Sequence, residues 1–173
     1  NGTLAIAGLI FAFSWGYNLA RAYGVNDLAG GIVGLATLIQ GISFGPSLSA
    51  ALNVNVPQNI VDAINGTELG ATIADGNLSV GLWGWLKLDH LNGNSYFTVM
   101  IMGAISVIIF CKLMLANITI KMPDSVPPAV SKAFAAILPA TIALYVIAII
   151  NYIVSRIADG QLIIDLVQKY IAE

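Results

Sequence analysis

The sequence predicts an all-α integral membrane protein. It is expected to have about four transmembrane helices, a long extracytoplasmic loop and a C-terminal interfacial amphipathic helix. Three observations carry that reading. Of the 173 residues, 58% are hydrophobic and only 9% are charged, whereas a soluble domain carries about 25% charged residues and needs them to coat its surface. The mean hydropathy is +0.85. The apolar residues also fall into four runs, each close to the ~20 residues that cross a bilayer, and no Asp or Glu lies in any of them.

The first run, Leu4 to Ala20, ends at Arg21. Trp15, Tyr17 and Tyr23 near that end fit an aromatic belt at headgroup level. A short turn follows, in which Asn26 or Asp27 caps the next helix. The second run, Leu28 to Phe44, is rich in small residues. Gly30 with Gly34, and Gly41 with Gly45, have the GxxxG spacing that lets two helices approach closely in lipid. Packing within the chain, packing against a second subunit and the plain abundance of glycine in membrane helices are all open readings of that spacing.

Pro46 to Asn94 changes character, because its many Asn and Gly residues break any long span. A short helix is expected within Asn53–Ile64, with Val56, Ile60 and Ile64 on one side. Ser79–Leu88, carrying Trp83 and Trp85, reads as a strand or an interfacial segment whose indoles anchor or pack locally. His90 is the only histidine. It reads as a solvated loop residue, since its neighbour Asp89 is adjacent in sequence and adjacent side chains seldom face each other.

The third run is Tyr96 to Ala116, with Lys112 close enough to its end to snorkel. The fourth is Phe134 to Ser155, in which Pro139 is expected one turn in, where a missing donor is tolerable. Between them lies a compact polar turn of Lys121, Pro123, Asp124, Val126, Pro127 and Pro128. The paired prolines remove backbone donors and disfavour helix just before them, so this turn is a preset bend. Beyond Arg156, Asp159 is expected to cap a helix from Gly160 to Ala172. Ile163, Leu166, Val167 and Tyr170 share one face of it, which suits a helix lying in the membrane interface.

Orientation follows from the cations. Arg21, Lys112, Lys121 and Lys132 fall on one side and Lys87, Arg156 and Lys169 on the other, a small bias that puts the proline turn in the cytoplasm. Other function classes find no support. The net charge is −2 and the cations are scattered, which excludes a nucleic-acid stripe. Cys111 stands alone, so neither a disulfide framework nor metal-ligand spacing exists. No phosphate loop, catalytic triad or intramembrane carboxylate pair occurs, so no catalytic residue, metal or cofactor is assigned. The chain opens at Asn1-Gly2 without a charged leader and reads as a piece of a longer polytopic protein.

The proline turn is also a specific signature. Ile120-Lys121-Met122-Pro123-Asp124-Ser125-Val126-Pro127-Pro128-Ala129-Val130-Ser131, followed by Phe134-Ala135-Ala136-Ile137-Leu138-Pro139, resembles a motif of one transporter family. That family is the sugar-translocating EIIC component of the phosphoenolpyruvate-dependent phosphotransferase system, of the lactose, cellobiose and diacetylchitobiose type. Asn1-Gly2-Thr3-Leu4, Leu19-Ala20 and Asp27-Leu28-Ala29-Gly30-Gly31 resemble it more weakly. The resemblance implies a multi-pass permease in the plasma membrane of a bacterium or archaeon, working as a homodimer in lipid. It implies that a β-linked disaccharide such as cellobiose, lactose or diacetylchitobiose is carried inward and phosphorylated by a phosphorylated EIIB partner.

On the same basis residues 1–156 belong to the N-terminal, dimer-forming half, and residues 157–173 lead toward the substrate-binding half. The family's sugar-contacting histidine and glutamate lie in Gly-His-Gly and Asn-Glu-Pro segments, neither of which occurs here. No substrate-binding residue is therefore assigned. The competing reading is a non-transporting membrane anchor or assembly module.

Overall fold

The computed structural model describes residues 2–42, 47–51, 55–65, 71–81, 86–123 and 125–172. The chain divides into two compact units, one built from residues 1–42 and 88–173 and the other from residues 43–87.

The first unit is a helical bundle. A short α1 (Gly2–Ala5) precedes α2 (Ala7–Ala22), and α3 (Asp27–Gln40) returns antiparallel to it. Gly24 ends α2 in the left-handed region at φ 70°, and Val25 N–H reaches back to the Ala20 carbonyl at 3.2 Å, which closes the helix in the usual glycine-terminated way. Of the two expected caps, Asn26 is the one used: its side chain accepts from Ala29 N–H at 3.2 Å. The helical run α5 (Gly93–Leu115) and the helix α6 (Pro128–Ile157) form a second hairpin. A short α7 (Ile163–Val167) follows and continues as a π turn over Gln168–Ala172.

Of the four expected spans, α5 and α6 are long and apolar enough to cross a membrane. The helices within the first two runs, α2 with 16 residues and α3 with 14, reach only ~24 and ~21 Å at 1.5 Å per residue. The end of the second run, residues 43–44, lies outside the described residues.

Two clusters form the core of the bundle. Ala20, Val33, Val107, Phe110, Cys111, Ala136 and Ala143 join α2, α3, α5 and α6 toward one end. Ala12, Leu38, Ile42, Leu91, Val99 and Ile164 join α2, α3, α5 and α7 toward the other. Between helices the Thr37 and Ser106 hydroxyls meet at 2.8 Å, a buried polar bridge of the kind worth ~0.6 kcal/mol between membrane helices.

Three expectations about α6 and α7 are corrected. The fourth helix starts at Pro128, not near Phe134, with Pro127 as its N-cap. Proline lacks only a donor that a first turn leaves unused, and its fixed φ already suits a helix. Pro139 is therefore about three turns in, fully buried, and α6 runs through it without ending. Asp159 does not cap α7. It sits at φ 51° in the turn that ends α6, and Leu162 is the cap residue, its N–H held by the Asp165 carboxylate at 3.3 Å.

The second unit departs from an all-α fold. It holds β1 (Ser47–Ala51), α4 (Gln58–Asn65), β2 (Ala71–Ala74) and β3 (Asn77–Gly81), and the antiparallel strand order is β1-β3-β2. Asp75 and Gly76, at φ 50° and 74°, make the tight turn between β2 and β3, as Asp-Gly does in two-residue hairpins. Asn65 ties α4 to β2 through two bonds: Ile73 N–H donates to its Oδ1 at 2.7 Å, and its Nδ2 donates to the Ile73 carbonyl at 3.1 Å. Trp83 and Trp85 lie outside the described residues.

Candidate functional site

The proline turn, the α2–α3 turn and the C-terminal end of α5 meet at one end of the bundle. Asn26, already the cap of α3, donates through Nδ2 to the Lys132 carbonyl at 3.4 Å. One side chain thus joins the first turn of α6 to the start of α3. A cleft of about 360 Å³ lies here between Gly24, Asn26, Asp27, Met114, Lys132 and Ala135.

Within the turn, Val126 N–H bonds the Pro123 carbonyl at 3.1 Å, and Val130 and Ser131 N–H both reach the Pro127 carbonyl at 3.0 and 3.1 Å. Lys121, Pro123, Pro127 and Pro128 are exposed and Val126 is half-buried; Asp124 lies outside the described residues. The site is therefore a rigid, solvent-facing bend.

The exposed cations Arg21, Lys112, Lys121 and Lys132 belong to this end, while Arg156 and Lys169 close the opposite one. An end so arranged attracts anions, whether lipid headgroups or an acidic protein face.

The glycines divide sharply. Gly30 faces Gly16 and Ala20 so closely that a methyl group on it would overlap Ala20 Cβ. A methyl on Gly34 would stand 2.5 Å from the Ala12 carbonyl oxygen. Gly41 meets only carbonyls of its own helix, at 3.5 Å, and Gly45 lies outside the described residues. The close approach is thus made by Gly30 and Gly34 against α2, with Gly16 as an opposing small residue that the spacing argument passed over.

His90 is not solvated. It is fully buried, and its Nε2 lies 2.9 Å from Asp165 Oδ1 on α7. The same junction is fastened twice more: Gln168 Nε2 donates to the Asp89 carbonyl at 3.0 Å, and Ile163 N–H donates to Asn151 Oδ1 at 3.1 Å. Ile164, 1% exposed, fills the space beneath. The C-terminal segment therefore turns Ile164, with Asp165 and Gln168 beside it, into the bundle, whereas Tyr170 of the expected apolar face is 73% exposed. The histidine is the polar pin that holds the segment there.

One face of α6 is largely uncovered by the described residues. Tyr145, Ile149, Tyr152, Ile153 and Ile157 are 50–79% exposed. Such a continuous apolar surface marks contact with lipid or with further protein.

The comparisons with known proteins agree with this architecture. Residues 1–171 match the family model described as phosphotransferase system, EIIC. The chain belongs to the EIIC family of the phosphotransferase system. It is 52% identical, over 99% of its length, to the cellobiose-specific EIIC component of Lactococcus lactis subsp. lactis (strain IL1403), covering 34% of that protein. It is 30% identical over 85% of its length to the lichenan permease IIC component of Bacillus subtilis (strain 168), covering 27% of it. The crystal structure of the transporter ChbC, the IIC component from the N,N'-diacetylchitobiose-specific phosphotransferase system, superimposes with a TM-score of 0.75 at 29% identity, over 99% of this chain and 34% of that one. The chain thus spans about a third of the length of the relatives it matches.

Proposed function

We propose that this chain is part of the membrane-embedded permease subunit of a phosphotransferase-system sugar transporter. That subunit moves a β-linked disaccharide or oligosaccharide, of the cellobiose or diacetylchitobiose kind, across a bacterial or archaeal plasma membrane while phosphorylated EIIB phosphorylates it. The observation that carries this reading is 52% identity to a cellobiose-specific EIIC over 99% of this chain and 34% of that protein. A non-transporting anchor has no comparable support.

In this reading residues 1–156 form scaffold and homodimer contacts, and residues 157–173 lead toward the half that binds sugar. The proline turn faces the cytoplasm, where Arg21, Lys112, Lys121 and Lys132 favour anionic headgroups and the phosphorylated partner. The bend supplies geometry, not chemistry. Two prolines preset the backbone so that α6 starts at a fixed angle, and Asn26 holds that start against α3.

Replacing Pro127 and Pro128 by Ala in the full-length permease tests this role. Sugar uptake is expected to fall several-fold while membrane insertion and yield stay unchanged. Unchanged uptake would remove the functional reading of the turn.

A further inference from the structure

The helical run α5 changes period near its start. Val99–Gly103 is a π turn set between the α turn Tyr96–Thr98 and the α-helix Ala104–Leu115. A π turn spreads one extra residue around the helix, opens its packing and is often found at functional positions. Here it borders a void of about 20 Å³ whose lining includes Thr37, Gln40, Thr98, Met102, Asn151 and Ile164.

Two residues of that lining carry a buried polar atom that meets no protein partner among the described residues: Thr98 Oγ1 and Gln40 Oε1. Thr98 is only 6% exposed. The Gln40 amide is oriented by its other end, where Nε2 donates to the Leu144 carbonyl of α6 at 3.1 Å. Its oxygen is left in need of a donor. Trp15 Nε1 is equally sealed but does not line this void. Asn151 does line it, with Oδ1 already taken by Ile163 N–H.

We propose that this void binds one ordered water molecule, which donates to Gln40 Oε1 and shares a hydrogen bond with Thr98 Oγ1. The size fits, since a single water needs ~10–15 Å³ and two to four polar partners. The chemistry also fits. A carbonyl oxygen that can only accept and a hydroxyl that can do both are bridged by a molecule that donates twice. The water ties the last turn of α3 to the α turn that leads into the π turn of α5. Two neutral oxygens are too few for a sodium ion, which makes the cation a distinguishable outcome.

The test uses the full-length protein in detergent, with Thr98→Val and Gln40→Leu made singly and together. A shared water makes the two losses overlap. Thr98→Val should shift the unfolding equilibrium about five- to tenfold on its own, the size of one net hydrogen bond, and less than about twofold once Gln40 is Leu. A structure that resolves waters should show density ~2.7–3.2 Å from both oxygens, retained in Thr98→Ser and lost in Thr98→Val. Additive losses, missing density or stability that depends on sodium concentration would each overturn the proposal.

Discussion

Gly34 has no room for even one methyl group: an added Cβ would stand 2.5 Å from the Ala12 carbonyl oxygen, a backbone atom that cannot swing aside. Gly34→Ala should therefore force α2 and α3 apart and cost ~1–3 kcal/mol, as overpacking does. Gly41→Ala is the matched control. Its new carbon would meet only carbonyls of its own helix at 3.5 Å, and its φ of −79° suits any residue, so the change should stay within ~0.5 kcal/mol. Thermal unfolding in detergent reads both. Equal effects at the two positions would show that helix spacing, not glycine count, had been misjudged. Asn26 is the other residue with a double task. Asn26→Ala removes a cap worth ~1 kcal/mol and also the tie to the Lys132 carbonyl. It should therefore destabilise more than a cap loss alone and loosen the proline-turn end.

The elements differ in how plainly the sequence announces them. Helices α5 and α6 were legible because long apolar runs leave few alternatives in lipid, and the bend between them because paired prolines permit few conformations. The start of α6 lies about two turns before the expected one, because paired prolines disfavour helix just before them while a proline in the first helical turn is a starter. Within the expected loop Pro46–Asn94 the sequence marks a short helix in Asn53–Ile64 and a strand or interfacial segment at Ser79–Leu88, which α4 and β3 overlap. It does not mark the three-stranded sheet, because the asparagines suggest breakage. The available signal was Asp75-Gly76, a two-residue hairpin turn flanked by Ala71–Ala74 and Asn77–Gly81. The seat of His90 was not legible, since its partner Asp165 lies far along the chain and only the docking of α7 brings them to 2.9 Å. That docking makes a prediction for the element. Ile164 is 1% exposed, so Ile164→Asp should undock α7 and open the chain beyond Ile157 to limited proteolysis. Asp165→Asn should do so more weakly. Protection equal to the unmodified protein in both would mean that α7 is held by something other than Ile164 and the His90 pin.

At the scale of the molecule, the helical unit of residues 1–42 and 88–173 is organised by its two ends. One gathers the α2–α3 turn, the end of α5, the proline turn and the exposed cations, joined through Asn26 and Lys132. The other gathers the 88–95 segment, the end of α6 and α7 around His90 and Ile164. Between them α6, ~45 Å long at 1.5 Å per residue, carries an uncovered apolar face from Tyr145 to Ile157. The central claim is that this axis runs across a membrane with the proline turn inside the cell. Cysteine labelling at Ser125, an exposed turn residue, tests it most directly when read against the same permease without the substitution, since Cys111 of this chain is fully buried. With Ser125→Cys in the full-length permease, a membrane-impermeant maleimide should label inside-out vesicles and permeabilised cells but not intact cells. Equal labelling of intact cells would contradict the account.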